Sequence, residues 1–448
     1  MFIYKHHCPK FFFVTAFILL GSFNSLVLAA GRNTGEKVPA YISREVQEVA
    51  RFSPLTLMDC YDLALKQSET IAIQKERIKE AQARFSQSLS GIMPEATYSY
   101  SERRQDGAGN SNFTLREVPE SKFVFSQPLF SGFKEFAAMA ASRAEQRQFK
   151  HEKIRAQQLL FTDVSDAFYF FMNYQQDYAA LSTIKTALFN RVDELKKREE
   201  LGRARLSEVT SAEARLSRTE AQLEEIYSEQ ELARQLLEFL TGVPINAVKD
   251  EEALDLNLIF KEQYLGKAQS RPDVLAASEA FEVAQKNIKI AQAGFWPEIG
   301  VDGNYYTKRV GNSANVDWDA TLTVDVPLFK GGETVGLVKE ARSQAHQVKL
   351  RYQETLRRAY LDIENAYTKF EIALKRLAAY QKAQESAEKN YELQKEDYEK
   401  NLVNNLEVLQ ALEDLQEARR NYIVVQNETK RFYWNLQVAI GEIPYDTF

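Results

Sequence analysis

Hydrophobic positions along this chain change their period at a few sharp places. From about 57 to 92 they recur at helical spacing, with Leu63, Ala64, Ile71, Ile78 and Phe85 on one stripe, until Gly91 and Pro94 end the run. The period then drops to two. Ala96, Tyr98 and Tyr100 alternate with polar neighbours, as do Phe123 and Phe125 ahead of Pro128, around a polar loop at 105–118 rich in Gly, Asn and Arg. That pattern predicts two strands, at about 96–104 and 119–127. After Gly132 a charged, Ala- and Gln-rich helical pattern meets no Pro or Gly until Gly202, where a turn is expected. Leu206, Val209, Ala212, Leu216, Ala221 and Leu223 predict a return helix at about 205–240, closed by Leu240-Thr-Gly242-Val-Pro244.

The whole succession then recurs. Gly91-Ile-Met-Pro94-Glu95 returns as Gly294-Phe-Trp-Pro297-Glu298, and Gln127-Pro-Leu-Phe-Ser-Gly132 as Val326-Pro-Leu-Phe-Lys-Gly331. Pro128 to Pro327, Gly132 to Gly331, Glu208 to Glu407 and Gly242 to Gly441 are each 199 residues apart, whereas Pro94 to Pro297 is 203. The difference of four falls between the two markers, so the helical remainder keeps its register. Ile299, Val301, Gly303 and Tyr305, then Trp318, Ala320, Leu322, Val324 and Val326, predict strands at about 298–308 and 317–327. A second long helix follows Gly336, with a turn expected at Asn401-Leu-Val-Asn-Asn405 and a return helix at about 404–440. The predicted organisation is 1–30 a signal peptide, 31–54 an extended leader, 55–242 the first repeat, 243–270 a connecting equatorial segment, 271–444 the second repeat and 445–448 a tail. Pro272 marks the helix start of the second repeat more securely than any side-chain cap.

Seventy helical residues at about 1.5 Å each make a rod of about 100 Å, too long for an ordinary globular core. Such a rod is stable only where its apolar stripe meets other helices. The strands are near the roughly 9 to 11 residues that a tilted strand needs to cross an outer membrane. One chain supplies four of them, too few to close a barrel, and open edges cannot stand in hydrocarbon. The chain must therefore assemble around a pore. Three copies give twelve strands and a hollow helical bundle beneath them; two give eight, a size that tends to fill with side chains.

Composition narrows the setting. Lys5 and Lys10, the apolar run Phe11 to Leu20 and the small residues of Leu28-Ala29-Ala30 before Gly31 make the three parts of a secretory signal. No cysteine stands at the expected cleavage site, which argues against a lipid anchor there. Cys60 is the one cysteine beyond residue 30, so no internal disulfide is expected. Without Lys5 and Lys10 the formal charge falls from -6 to -8, which offers nothing to a nucleic acid backbone. With 44% apolar and 27% charged residues the chain is not generally disordered. No later stretch has the roughly 18 continuous apolar residues of a membrane helix, an absence that leaves barrel strands open.

The ordered set Gly91/Pro94, Pro128-Leu-Phe-x-Gly132, Gly294/Pro297, Pro327-Leu-Phe-x-Gly331 and Arg271-Pro-Asp273 resembles the TolC-type outer membrane efflux proteins over about 55–444. The resemblance implies a mainly α fold with a transmembrane β-barrel: duplicated long α-helical hairpins and four β-strands per chain, a homotrimer forming a 12-stranded barrel and a periplasmic α-barrel tunnel. It implies a passive outer membrane conduit of a tripartite efflux or type I secretion system, working with a periplasmic adaptor (membrane fusion) protein and an inner-membrane RND, MFS or ABC exporter. No cofactor, metal or catalytic residue is implied. A constricted periplasmic aperture is implied near the helix turns, at Glu208, Tyr398, Glu407 and Gln410, with Gly202 and Asn401 at the turns. The family's Tyr-x-x-Gly-x-Arg-x-x-x-Asp-x-x-Asp pattern reads here as Tyr398, Asn401, Val403, Glu407 and Gln410, so its glycine, arginine and second acid are absent from the second copy. Read from the residues alone, Glu208 and Glu407 serve equally well as acids at the first turn of a helix.

Other residues lend little to chemistry. His151 and His346 lie within long charged helices without ligand spacing, and Cys60 has no basic neighbour. Lys330-Gly-Gly-Glu-Thr-Val-Gly336 lacks the ending of a phosphate loop and suits a strand-to-helix junction. Tyr98, Tyr100, Phe123, Phe125, Phe130, Tyr305, Tyr306, Trp318 and Phe329 suit barrel packing and interfacial girdles alike; Phe130, Trp296 and Phe329 are the favoured membrane-boundary anchors, with packing at the helix–barrel junction as the other reading. Arg103, Arg104, Arg116, Lys308 and Arg309 suit an external face toward outer membrane lipid. The competing class is a periplasmic coiled-coil scaffold or adaptor, which explains the rods but not two matched hairpins.

Overall fold

A computed structural model describes residues 54–106, 115–251, 254, 257–400 and 402–443. The expected signal peptide, most of the leader, the turn residue Asn401 and the tail lie outside the described residues.

The first repeat opens with α1, Leu57–Gln67, held at its start by a capping box in which Thr56 Oγ1 accepts from Asp59 N and Asp59 accepts from Thr56 N at 3.0 Å. The single helix expected over 57–92 is two. Ser68 takes an extended ψ of 113° and its hydroxyl accepts from Ile71 N, which ends α1 and starts α2, Glu69–Ser90. A serine that can satisfy an exposed N–H is a helix boundary that apolar spacing does not register.

Four strands follow the two markers. β1 is Glu95–Arg104, β2 Glu117–Ser131, β3 Glu298–Lys308 and β4 Trp318–Asp325, in one antiparallel sheet of order β1-β2-β3-β4. The spacing that predicts strands at about 119–127 and 317–327 puts Pro128 and Pro327 at the junctions with the following helices. β2 instead passes through Pro128 to Ser131, with a register shift between Pro128 and Phe130, because β3 lies beside it; β4 stops two residues short of Pro327. Proline cannot donate to a ladder, so an irregularity is where a strand can hold one. Pairing places Tyr98 with Phe123, Phe123 with Tyr305 and Tyr305 with Trp318 on one face. Ala96, Phe125, Val301, Leu322 and Val324 join them there by alternation. Thr97, Ser99, Ser126, Asp302, Asn304, Asp319, Thr321 and Asp325 occupy the other. Tyr306 is on this polar face, where its hydroxyl donates to Asp319 Oδ2 at 2.8 Å, so it is no part of an apolar girdle.

The helices below form two hairpins. α3 runs Lys134–Glu200 and returns as α4, Leu206–Thr241; a short α5, Lys261–Leu265, precedes α6, Pro272–Gln292; α7 runs Glu333–Glu399 and returns as α8, Asn405–Ala439. At 67 residues, α3 and α7 are each about 100 Å long. Near the turns Leu181, Ile184, Leu188 and Leu195 of α3 pack with Val209, Ala212 and Ile226 of α4 and Leu409 and Leu412 of α8. Nearer the middle Tyr264 and Val274 pack with Ala359, Ile363 and Phe370 of α7 and Leu436 and Ile440 at the end of α8. α8 is thus fixed to both α3 and α7. No residue of α7 beyond Ala373 is buried among the described residues, so its lower third is only partly covered, by contacts such as that of Tyr391 with the tip cluster. Among the described residues no helix is long and apolar enough to cross a membrane.

Candidate functional site

At the helical tips Gly202 takes φ +64°, the left-handed region that lets the chain turn after α3. Its second-copy counterpart in the turn, Asn401, is outside the described residues. α8 starts on Asn404, whose side chain accepts from Leu406 N and Glu407 N while Glu407 Oε2 accepts from Asn404 N at 2.8 Å. Glu407 is therefore engaged in a capping box. Glu208 is half-buried in the first turn of α4, where no side-chain cap is made. Gln410 is exposed and donates to Asp414.

Tyr398 has a different kind of partner. Its ring is stacked by two guanidiniums of α3, Arg191 at 3.9 Å and Arg198 at 4.9 Å from the centroid. Arg191 also donates to Asn405 Oδ1 at 2.9 Å and Glu194 at 2.7 Å. One arginine thus joins the end of α7, the start of α8 and the side of α3. Nearby, Arg215 of α4 donates to Leu409 O and Glu413 of α8. Arg191 and Arg198 escape the family pattern because, with Gly202 and Glu208 at its glycine and first acid in the first copy, both precede the stretch it spans. Cation–π stacks of this kind contribute about 0.5–2 kcal/mol, more as they lose water.

Farther up, Arg420 forks onto Asp177 with three bonds of 2.8–3.0 Å, and Asp177 is nearly inaccessible. At the middle of the molecule the Arg271-Pro-Asp273 element is a fastening. Pro272 is the first residue of α6, and the Arg271 guanidinium, 2% exposed, reaches Asp273, Asp362 of α7 and Ala439 O of α8. Burial alone would raise the Asp273 carboxyl, but bonding to Arg271 and the nearby charge of Arg155 hold it below the usual carboxylate range. Burial and the charge of Arg271 press Arg155 downward.

The strand–helix junctions form a third group. Gly132 takes φ +65° and is pressed so close to the next repeat that a Cβ would lie 2.7 Å from Ala293 O and 2.9 Å from Trp296 Cβ. Phe130 meets Trp296 edge-on at 6.5 Å and Phe133 at 5.1 Å. Gly294 lies against Thr334, and Gly91 against Glu135. Pro94 and Pro297 each directly precede the first residue of a strand. In the second copy Phe329 is 89% exposed and Gly331 has no atom within 4 Å of its Cβ position. The aromatics named as boundary anchors therefore differ in setting: Phe130 and Trp296 pack together at the junction, and Phe329 stands out.

A sheet with one apolar and one polar face, both of its edges unpaired among the described residues, set on duplicated 100 Å helical hairpins, defines an outer membrane channel protomer. Residues 267–442 match the family model described as Outer membrane efflux protein. The chain is 24% identical over 391 residues to the outer membrane protein TolC of Vibrio cholerae serotype O1, covering 84% of this chain and 87% of that one. It is 22% identical over 358 residues to the alkaline protease secretion protein AprF of Pseudomonas aeruginosa, covering 74% and 73%. The solved structure of the outer membrane protein VceC from Vibrio cholerae shares the fold, with a TM-score of 0.73 at 21% identity over 86% of this chain and 96% of that one. The chain is thus similar in sequence and fold to the TolC-type outer membrane efflux proteins, which are non-catalytic channel components of efflux and secretion systems. Its fold is the TolC-like one, and homology supports an outer membrane location with a periplasmic portion. Proteins of this type work in tripartite systems with an adaptor and an inner-membrane exporter.

Proposed function

We propose that this chain is a passive trimeric conduit from periplasm to exterior, exported by an N-terminal signal peptide and gated at its helical tips. The observation that carries this reading is the pair of unpaired edges, β1 and β4, on a sheet whose apolar face suits lipid and whose polar face suits water. Twelve strands from three copies give a barrel wide enough for a lumen. With no energy-converting site in this reading, transport depends on an inner-membrane exporter of the RND, MFS or ABC kind, reached through the periplasmic adaptor. Small-molecule efflux and type I protein secretion both fit; the relative named for protease secretion supports the second as much as the family model described as an efflux protein supports the first. Deleting the gene and measuring drug susceptibility beside the secreted proteome separates them, and a deletion that alters neither contradicts the conduit.

The aperture reading rests on the tips. Three copies of Glu208 and Glu407 bring six carboxylates around the axis, which favours cations at the mouth. Gln at 407 can still make a capping box, so the double variant Glu208→Gln with Glu407→Gln removes charge while keeping the helix start. Its single-channel current is expected to lose cation preference; unchanged conductance and selectivity would remove the carboxylates from the mouth. Tyr398, clamped by Arg191 and Arg198, holds α7 closed against α3 in this reading, in place of the arginine the second copy lacks.

A further inference from the structure

We propose that the β4 edge of one copy pairs with the β1 edge of the next in the register that β2 and β3 use inside the chain, bringing Phe329 and Lys330 against Met93 and Glu95 of the partner subunit. This rests on the trimeric reading and specifies its contact residue by residue.

The two hairpins are one object used twice. Glu95 pairs with Ser126, Ala96 with Phe125 and Tyr98 with Phe123; Glu298 pairs with Asp325, Ile299 with Val324 and Val301 with Leu322. Each β3 residue is its β1 counterpart displaced by 203, and each β4 residue its β2 counterpart displaced by 199. The β2–β3 pairing is then the chain's own example of how one hairpin meets the next. There Phe125 pairs with Gly303, Gln127 with Val301, Ser126 with Asp302 and Ser131 with Glu298. Carried across the subunit boundary, the rule sets Val324 beside the partner's Tyr100, Val326 beside the partner's Tyr98, Asp325 beside the partner's Ser99 and Lys330 beside the partner's Glu95.

The side chains at those positions agree, although the displacement took no account of them. Ser126 Oγ donates to Asp302 Oδ1 at 2.6 Å, and the transferred contact is again hydroxyl to carboxylate with the roles reversed. Lysine faces glutamate, and two valines face two tyrosines on the lipid side. The unfilled space agrees as well. Phe130 is half-buried against Trp296, while its counterpart Phe329 is 89% exposed and the counterpart of Trp296, Met93, is 49% exposed. Gly132 is crowded by the next repeat and Gly331 by nothing. β2 continues to Ser131 beside β3, and β4, with β3 on one side and no second strand on the other among the described residues, stops at Asp325, the counterpart of Ser126. The β1 partner would extend β4 to Lys330.

Directly opposed antiparallel residues have Cα atoms about 4.5–5.5 Å apart, within disulfide range. The full-length double variant Val324→Cys with Tyr100→Cys, oxidised in outer membranes, is expected to run as a covalent trimer on non-reducing gels; buried Cys60 is a silent background. The shifted pairs Val324→Cys with Tyr98→Cys and Val324→Cys with Glu102→Cys are expected to cross-link at least several-fold less. Lys330→Glu and Glu95→Lys should each lower the temperature at which the trimer dissociates, and their combination should restore it. A shifted pair that cross-links best, or a detergent-stable trimer that none of the three pairs links, overturns the register. Protein that is monomeric before oxidation overturns the trimer itself.

Discussion

Asp273 shows how a single residue sets the conditions under which the molecule holds together. Its folded carboxyl sits below the ordinary range, so the unfolded chain binds its proton more readily. The stability it contributes is present above the unfolded value of about 4 and is lost as pH falls through the folded value. Thermal unfolding followed from pH 6 to pH 3 should therefore show a loss in the wild type that Asp273→Asn lacks. At neutral pH that variant should be about 3 kcal/mol less stable, because Arg271 stays buried with only Asp362 as a charged partner. Cys60 makes the opposite case. Burial, with help from the charge of Asp59, pushes its thiol up to about 12, so the native protein should not react with a thiol reagent at pH 8 and should react fully once unfolded. Rapid labelling of the native protein would contradict its place in the core. Glu407 divides between two roles of which the sequence could separate neither. Helix-start chemistry is now visible in its bond to Asn404, yet capping fixes the carboxylate without removing its charge.

Elements carried most of what the sequence made legible, and the reason is repetition. A period of two against a period of 3.6, punctuated by Gly and Pro twice over, suffices to locate four strands and four long helices because those signals are local. Contacts between elements left no such trace. Ser68 divides α1 from α2 through one hydroxyl, and β2 outruns its apolar pattern because β3 is there to pair with it. Arg191 and Arg198 clamp Tyr398 from another helix more than 190 residues away, a distance at which no spacing rule speaks. Gly132 is the junction where such a contact is tightest. Gly132→Ala should fail to bring β2 and α3 beside Trp296, since a methyl group would meet a carbonyl at 2.7 Å in a left-handed conformation; little or no trimer should reach the outer membrane by heat-modifiable electrophoresis. Normal trimer yield would mean the junction opens without cost. Lower α7 belongs to this scale too. With nothing buried beyond Ala373 it is the part of the hairpin that depends on neighbouring copies, and deuterium exchange at 374–399 should be faster in a trimer-disrupted variant than in wild type.

The whole molecule follows from an incomplete sheet. Four strands with a lipid-compatible face and two open edges cannot be a finished membrane structure, whereas three such chains can. The long hairpins then become a tunnel wall, since each helix needs neighbours on both sides to cover its apolar stripe. Efflux and secretion are alternatives in what passes through; both need the same sealed wall. A scaffold protein with the same helices would have no use for a sheet divided into an apolar and a polar face.

Single-channel recording on the protein purified in mild detergent and reconstituted into a planar bilayer tests this wall most directly. Stepwise, long-lived ohmic currents from material whose mass is that of three chains are the expected result. A monodisperse monomer that leaves the bilayer silent would contradict the account.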